Sequence, residues 1–557
     1  MAAGTALEFV AEDGDGPVQE RVRAALEPRY TVVREASRRT RQVWLDTFDW
    51  RLHAAGLALR QVTGSPSAEL VLTGCAGEPL LAWALPRAIR WPGRLPVLPD
   101  GALRDRLRPV LDVRALLPLA RTEGTQTRLR VLDSELKTVA RITVESAALA
   151  TPGAAPLPSR LLVTPVRGYD AAARRAARLL AAADGFAAAA EPDLLAVLAA
   201  AGRTPGDRTG PAGLALRPDA PAREALAAVL LRLAGTIEAN VGYVLRDVDT
   251  EFLHDLRVAV RRTRSALKLA GDALPAGAAG RFGPEFRWLG DLTTPSRDLD
   301  VYLSGFGETA ARLHAAAPGD LEPFRAYLAA RRAAERRRLA RGLRSARFGE
   351  LMADWRAALE AAAAPRVAGA GRPRRGGTGR PDIASLAAGR IALACQRVAR
   401  RGEAITAGAA AGRPPARDLH ALRKRCKELR YLLEFFGSLY EPAALRRAVK
   451  DLRGLQDCLG DFQDTEVQRN LIREFAGYAV DRHARPPRAR APRAQGSRMG
   501  RQAAGELAAT LLALGELTGG LQAGQDRARA DVAGRFTRFA RAGLPGTLGI
   551  QPRAGQS

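Results

Sequence analysis

Residues Leu253 to Lys268 read LHDLRVAVRRTRSALK, and this stretch decides the fold of the C-terminal part of the chain. At about 100° per residue, a helix would place its cations within an arc of roughly 80° and its apolar residues on the opposite side. The cationic face comprises His254, Arg257, Arg261, Arg264 and Lys268, and the opposite face comprises Leu256, Val260, Thr263 and Leu267. Acids that would normally form pairs three or four residues apart are absent between Arg257 and Lys268. The pattern predicts an amphipathic helix whose cationic face binds a polyanion.

The same pattern recurs 166 residues later in LHALRKRCKELRYLL, from Leu419 to Leu433. Its basic positions are His420, Arg423, Lys424, Lys427 and Arg430. A second pair of stretches, 287–301 and 453–467, keeps the same offset and shares Arg, Leu, Asp, Asp and Val at matching places. Two blocks repeated without a gap indicate duplication of a helical unit.

Each of these elements also has an ordinary explanation. A single His on a helix is more often structural than a ligand, and a basic run is usually a solvated face. Repetition of the same positions favours one shared task. Asp298 and Asp464 match at the common offset, and partners that orient nearby arginines explain them more simply than a catalytic acid pair. The following helix of each half adds a secondary basic surface at Arg281, Arg287, Arg446, Arg447, Lys450 and Arg453.

Both repeats, together with the Asp-containing stretches after them, resemble the CHAD domain over roughly residues 222–541. The resemblance implies two antiparallel four-helix bundles that are related by a pseudo-twofold axis and bind inorganic polyphosphate through a basic groove. His254 and His420 match the histidine for which that family is named. The implied binding positions are Arg257, Arg261, Arg264, Lys268, Arg423, Lys424, Lys427 and Arg430.

The N-terminal part has a different pattern, with eight short alternating segments between residues 5 and 166 that are bounded by Gly, Pro and Asp. This spacing predicts a small antiparallel β-barrel, interrupted by a helix at 103–119 and followed by one or two helices within 170–201. The stretch VWLDTFDWRLHAAGLALR, residues 43–60, resembles CYTH domains, which have the triphosphate tunnel fold. That resemblance implies an eight-stranded barrel whose lumen holds a triphosphate and a divalent metal ion.

Several positions depart from the tunnel motif. The E-x-E-x-K motif of the first strand would fall on Glu8, Val10 and Glu12, so two of its three functional positions are lost. Without these acids there is little to hold the metal that phosphoryl transfer requires. The remaining candidates for the lumen are Glu8, Arg60, Arg121, Arg128, Arg130 and Glu145. Alternatively, the arginines lie on strand edges or pair with Glu123 and Glu135. We therefore expect a degenerate barrel.

Charge is distributed unevenly along the 557 residues. Residues 1–202 contain 26 Lys and Arg against 22 Asp and Glu, whereas the rest contains 60 against 37. The excess of +23 in the second part places the polyanion site there. The four cysteines form no C-x-x-C pair, so neither a zinc site nor a disulfide framework is indicated. No signal peptide and no charge-free apolar run of about 18 residues is evident, so we expect a soluble intracellular protein.

The predicted fold class is α+β multidomain. An eight-stranded antiparallel barrel with trailing helices occupies 1–202, a Pro- and Gly-rich linker 203–221, duplicated all-α four-helix bundles 222–541, and a tail 542–557. The halves, at about 222–364 and 383–541, are joined by a basic Gly- and Pro-rich connection at 365–382. In the second half, a helix at 443–470 and a basic loop at 484–498 are expected.

The first functional hypothesis is a binding protein for inorganic polyphosphate that is cytoplasmic and associated with polyphosphate deposits. The alternative is a metal-dependent triphosphatase or polyphosphatase in the barrel, which would need Mg²⁺ or Mn²⁺; the binding hypothesis requires no cofactor, and no metal site is indicated. Nucleic-acid binding is less favoured because the two cationic helices contain few rings for base stacking. No membrane partner is expected, and the sequence does not give the oligomeric state.

Overall fold

The computed structural model divides the chain into two compact units, Met1–Thr209 and Gly210–Ser557. It describes residues 7–541 except 13–15, 65–66, 152–155, 208–215, 365–380, 409–413 and 485–492, together with 543, 546, 548 and 549. For 493–501 it describes the backbone alone. The boundary between the units falls within the Pro- and Gly-rich stretch at 203–221. The connection expected at 365–382 and the tail at 542–557 lie almost entirely outside the described residues.

The N-terminal unit contains a ten-stranded antiparallel sheet with the order β10-β1-β9-β8-β7-β3-β4-β5-β6, in which β2 also pairs with β7. The strands are β1 Leu7–Ala11, β2 Thr31–Arg34, β3 Arg38–Asp46, β4 Leu57–Gly64, β5 Ser67–Gly74, β6 Pro79–Leu85, β7 Leu117–Leu132, β8 Thr138–Leu149, β9 Arg160–Pro165 and β10 Phe186–Ala188. Eight of them match the predicted segments. The two additional strands, β2 and β10, have only four and three residues, too few to show an alternating pattern.

The sheet curls into a half-barrel and is not closed by any pairing among the described residues. Its curl brings the turn between β5 and β6 close to β1: a Cβ atom built on Gly77 would lie 3.5 Å from Oε2 of Glu8. The fold class is thus confirmed in its main features. The helix expected at 103–119 is shorter than predicted and ends at Leu111, because Asp112 adopts a positive φ of 51° and β7 begins at Leu117.

The two faces of the sheet are covered by different helices. The outer face packs against α1 (Val18–Leu26), α2 (Arg51–Ala54), α3 (Ala102–Leu111) and α4 (Asp170–Ala182) through two clusters of buried aliphatic residues. The inner face is partly covered by α5 (Asp193–Ala200), whose Leu194, Val197 and Leu198 join a buried cluster with Trp44 and Ala58 of the sheet. The chain therefore fills part of its own half-barrel.

The C-terminal unit is helical in two halves. The first half comprises α6 Ala222–Leu245, α7 Thr250–Ala270, α8 Ala278–Ser304, the short α9 Phe306–Ala310, α10 Glu322–Leu343 and α11 Ala346–Ala363. The second comprises α12 Ile383–Gly408, α13 Ala416–Phe435, α14 Pro442–Ala484 and α15 Arg493–Arg541. In the first half α10 packs on α8 and α11 packs on α6, so together these two helices take the place that the single α15 takes in the second half.

The amphipathic prediction for α7 and α13 is confirmed. Leu256 and Val260 of α7, and Leu422 and Cys426 of α13, are completely buried. The helix α7 begins where the Asp249 carboxylate accepts hydrogen bonds from the backbone N–H groups of the first turn, an N-cap that typically stabilises a helix by about 1 kcal/mol. Local capping and a buried stripe thus fix the axis of α7 and leave its basic side chains on the other face.

The second half departs from the predicted helix ends. The helix expected at 443–470 continues to Ala484, because Ile472 and Phe475 bury their side chains against Phe324 of the first half. The loop expected at 484–498 lies partly outside the described residues, and its last part, from Arg493, is helical. By length and composition, α6 is the one helix in the described part of the chain that could cross a membrane, and half of its most apolar window is buried inside the helical unit. Its apolar character is thus used in the bundle core.

Candidate functional site

The two cationic helices, α7 and α13, meet through a reciprocal pair of ion pairs. Arg262 of α7 contacts Glu434 of α13, and Lys268 of α7 contacts Glu428 of α13 with an Nζ to Oε1 distance of 2.5 Å. At the offset of 166 residues, Arg262 corresponds to Glu428 and Lys268 to Glu434. Each position of one helix therefore contacts the equivalent of its partner's position on the other. This reciprocity is what a twofold relation between the halves produces.

A second ion pair is repeated inside each half. Nη2 of Arg257 lies 3.6 Å from Oδ1 of Asp298, and Nη2 of Arg423 lies 3.4 Å from Oδ1 of Asp464. Burial raises the pKa of Asp298, Arg257 lowers it, and Asp464 raises it again, so the two carboxylates lie within electrostatic reach of each other. The contacts agree with the orienting role expected for these acids.

Cations of both halves converge at Lys427. Burial lowers the pKa of Lys427 to about 8, and the positive charges of Arg423, Arg261 and Arg257 lower it further. Burial also lowers the pKa of Arg257, to which Arg261 contributes. The sequence-predicted positions of α7 and α13 are therefore brought into one cluster, in which every member disfavours the charge of the others.

Several donors of this cationic cluster, defined as Arg257, Arg261, Arg423 and Lys427, have no acceptor. The Nε atoms of Arg257, Arg261 and Arg423 are buried and make no hydrogen bond within the described structure. Arg257 and Arg423 use only one guanidinium nitrogen each for their aspartates, and their side chains are 17% and 20% exposed. Buried polar groups are normally paired, and leaving one unpaired costs roughly 1 to 3 kcal/mol. The cluster is thus electrostatically unsatisfied.

A groove of about 1050 Å³ continues from this cluster along α7, with walls from α8, α10 and α13. Seven cations line it: Arg261, Arg264, Lys268, Arg287, Arg338, Lys424 and Lys427. Only Asp291 and Glu428 oppose them in the lining. Gly290 makes room for Arg264, because a Cβ atom there would lie 2.5 Å from Nη1 of that arginine. A surface with this balance of charge attracts an extended anion.

The two histidines have different surroundings. Burial lowers the pKa of His254, and the neighbouring Arg297 lowers it further, so this ring is neutral at neutral pH. His420 is exposed, and its Nδ1 lies 2.7 Å from Oε1 of Gln463. Gln463 occupies the position that corresponds to Arg297 at the offset of 166. The repeated histidines therefore stand at equivalent positions but face a cation in one half and a neutral amide in the other.

Some sequence expectations for this surface need correction. The absence of acids within the cationic stretch of α7 does not leave its C-terminal end uncompensated, because Glu428 and Glu434 approach from α13. Glu434 also accepts from Arg430, with an Nε to Oε1 distance of 2.7 Å. The pattern within one helix could not show acids that arrive from another helix.

The secondary basic surface does not form one site. Arg287 lines the groove, whereas Arg281 contacts Asp354 of α11. The other four members are exposed on α14 and are not among the lining residues of the groove: Arg446, Arg447, Lys450 and Arg453. Two groove residues that the sequence reasoning missed are Arg338 and Trp288, which lie on helices without the repeated motif and gave no signal of their own.

On the inner face of the N-terminal sheet, the expected tunnel residues are already paired. Nη1 of Arg60 lies 2.8 Å from Oδ2 of Asp193, and Arg160 bridges Asp193 at 3.3 Å and Glu8 at 2.7 Å. Burial raises the pKa of Asp193, and Arg60 and Arg160 act against that shift. Glu145 accepts hydrogen bonds from the side-chain amides of Gln42 and Gln126. Thus Glu8, Arg60 and Glu145 come together, but around the N-terminus of α5.

The remaining tunnel candidates lie elsewhere. Arg130 pairs with Glu35 at 3.5 Å, and Arg128 is exposed two residues before it on β7. Arg121 lines a separate cavity beside Glu123, on the opposite face of β7 from Thr122, which lines the inner cavity. The expected partners of these arginines are also corrected. Glu123 pairs with Arg41 and Glu135 with Lys137.

The residues on the inner face do not fit a divalent metal ion. Glu8 is held by Arg160, and the next inward position of β1 is Val10. Among the described residues, no group of three His, Cys, Asp or Glu side chains is arranged to hold a metal. A carboxylate that already neutralises an arginine gives up that pairing if it binds a metal. No step that depends on a metal follows from this geometry.

Comparisons with known proteins agree with this division of the chain. Residues 228–473 match the family model of the CHAD domain. The CHAD domain of the plant Ricinus communis is 26% identical over 59% of this chain and 94% of its own, with a TM-score of 0.43. PptA from Streptomyces chartreusis is 16% identical over 58% of this chain and 99% of its own, with a TM-score of 0.37.

A Hippeastrum protein named as an adenylyl cyclase, with a dominant triphosphatase activity, is also similar. It is 11% identical over 36% of this chain and 96% of its own, with a TM-score of 0.26. A search of curated proteins gave no match. The C-terminal helical unit of this chain therefore carries a CHAD domain, preceded by a curled antiparallel half-barrel.

Proposed function

We propose that the helical unit binds inorganic polyphosphate in the groove where α7 and α13 meet. The observation that carries this proposal is the cationic cluster, in which three buried guanidinium Nε groups lack acceptors around a lysine of lowered pKa. A phosphate chain would provide an acceptor for each donor and a negative charge for each cation. Charge-assisted hydrogen bonds of this kind are worth about 1.5 to 3 kcal/mol each.

The chemistry of the side chains favours phosphate over other anions. The guanidinium fork of arginine donates two parallel hydrogen bonds to phosphate oxygens, and the cluster holds three arginines against one lysine. Cations from both halves face one groove, so a ligand with a negative charge on every repeating unit matches the site better than a single phosphate does. The resemblance of the repeats to CHAD domains supports the same ligand class.

Nucleic acid has weaker support as the ligand. The rings that line the groove are Trp288 and Tyr431, and each lies under an arginine: Arg347 is 4.3 Å from the Trp288 ring centre and Arg261 is 5.8 Å from that of Tyr431. Rings engaged in this way are poor platforms for successive bases. An inorganic chain needs no such platform.

Hydrolysis of a phosphate chain in the N-terminal unit is the second candidate. The half-barrel form of the sheet favours it. The pairing of Glu8 with Arg160 and the presence of Val10 on the first strand count against it, because neither arrangement leaves carboxylates for a metal. We therefore place binding in the helical unit first and hydrolysis second.

Calorimetric titration of the full chain tests the proposal, with long-chain polyphosphate, tripolyphosphate and single-stranded DNA as ligands at two salt concentrations. Long-chain polyphosphate should bind most tightly, with an affinity that falls steeply with salt as phosphate-bound counterions are released. Tripolyphosphate should bind weakly because it is too short to occupy cations of both halves. Equal affinities for DNA and polyphosphate would reduce the site to a general polyanion surface.

A further inference from the structure

A separate cavity of about 450 Å³ lies on the inner face of the N-terminal sheet beneath α5. Its volume falls within the range of ordinary small-molecule sites. Most of its wall is apolar, formed by alanines of β8, β10 and α5 together with Leu157, Pro158 and Val197. The polar exceptions are mainly acidic: Glu12, Glu145, Glu191 and Asp193, against Arg160 alone among the basic residues of the lining. The sign of this charge is opposite to that of a phosphate site.

Trp44 supplies an independent indication of a ligand. Its side chain lines the cavity and is only 3% exposed, yet its indole N–H has no hydrogen-bond acceptor in the described structure. A buried indole N–H usually has a partner, because the ring is apolar but its nitrogen is not. The guanidinium of Arg60 lies over the ring, 5.1 Å from its centre, and cannot accept from it. An acceptor brought by a ligand would satisfy this donor.

Glu145 is the carboxylate that remains available to a cation. Arg160 is already shared by Glu8 and Asp193, whereas Glu145 contacts only the amides of Gln42 and Gln126, at 3.2 and 2.7 Å. Among the described residues, no Lys or Arg forms an ion pair with Glu145. Its charge is therefore exposed to the cavity without a counterion.

The spacing of these groups defines the ligand. Gln42, which holds Glu145, and Trp44 are successive inward-facing residues of β3, so their Cα atoms are about 7 Å apart. A molecule that contacts both Glu145 and the indole N–H must therefore carry a cation and an acceptor separated by a short chain. The alanine-rich wall between them favours an apolar chain.

We propose that this cavity binds a small organic cation: a primary ammonium group on a short aliphatic chain that ends in a hydroxyl or carbonyl oxygen. The ammonium group pairs with Glu145, the chain packs against the alanines, and the terminal oxygen accepts from the Trp44 indole N–H. The half-barrel thus holds an amine where its fold would suggest a triphosphate. The inference does not depend on polyphosphate binding by the helical unit.

Calorimetry on the full chain tests the proposal with four probes: 5-aminopentan-1-ol, pentylammonium, pentan-1-ol and pentanoate. The amino alcohol should bind best, pentylammonium more weakly, and the uncharged and anionic probes not measurably. Glu145→Gln, which keeps an oxygen for the neighbouring amides, should weaken both amines at least tenfold. Trp44→Phe should reduce the affinity of the amino alcohol to that of pentylammonium and leave pentylammonium unchanged.

Glu123→Gln is the matched control, since Glu123 lies on the opposite face of the sheet and pairs with Arg41. It should leave all affinities unchanged. The proposal is overturned if neither amine binds the native chain at millimolar concentration, or if pentanoate binds as well as pentylammonium. Should Glu145→Gln fail to fold, the selective effect of Trp44→Phe decides: equal losses for both amines, or no loss for either, would contradict the assigned geometry.

Discussion

Removing two equivalent charges from the cationic cluster should weaken polyphosphate binding far more than removing two charges elsewhere. The double variant Arg257→Gln and Arg423→Gln deletes one member of each repeated ion pair. Each arginine would make a charge-assisted contact worth about 1.5 to 3 kcal/mol, so the pair accounts for about 3 to 6 kcal/mol. At 1.4 kcal/mol for each factor of ten, the dissociation constant should rise by about 10² to 10⁴.

The same substitutions should have little effect on folding. The aspartates that lose their partners have side chains that are 46% and 70% exposed, so water can solvate them. Exposed ion pairs contribute little to stability, about 0 to 1 kcal/mol each. Thermal unfolding should therefore show a melting temperature close to that of the native chain.

A matched control separates the groove from net charge. Arg446→Gln and Lys450→Gln remove the same two charges from the exposed surface of α14, outside the groove lining. Fluorescence anisotropy with labelled long-chain polyphosphate, at one fixed salt concentration, compares the two double variants. If the control loses as much affinity as the cluster variant, the reasoning from the buried donors is refuted.

Three further outcomes are expected. Polyphosphate should raise the lowered pKa of Lys427, so affinity should fall as pH rises through about 8, and Lys427→Arg should flatten that dependence in titrations between pH 6 and 10; a native profile without any step near 8 would contradict it. Gly290→Ala should displace Arg264 and weaken binding several-fold without lowering the melting temperature, because Ala favours a helix over Gly by up to about 1 kcal/mol; unchanged affinity would show that Arg264 does not contact the ligand. Tripolyphosphate should not be hydrolysed with Mg²⁺ or Mn²⁺ in a phosphate-release assay, and turnover abolished by Glu8→Gln would restore the enzymatic alternative.

The helical face and its duplication could be predicted because both depend on local periodicity. Leu256 and Val260 are buried where a period of 3.6 residues places them, and Arg257 and Arg423 carry equivalent aspartates at one offset. The compensating acids could not be predicted from α7, because Glu428 reaches Lys268 across 160 residues of sequence. Such contacts depend on how two helices meet, which no single periodic pattern contains.

The N-terminal unit shows the same limit more strongly. Eight strands had enough alternation to be recognised, and the loss of acids at Val10 was visible in the motif. The fate of Arg60 was not, because its partner Asp193 begins a helix 133 residues later that folds back onto the inner face. An arginine that looks free to attract phosphate in the sequence is neutralised by the fold.

A crystal structure of the chain with long-chain polyphosphate tests the central claim most directly. We predict phosphate oxygens within about 3 Å of the Nε atoms of Arg257, Arg261 and Arg423, the usual distance of a charge-assisted hydrogen bond. One continuous chain should also contact Lys427. A phosphate chain bound instead along the exposed face of α14, or within the N-terminal half-barrel, would contradict the account.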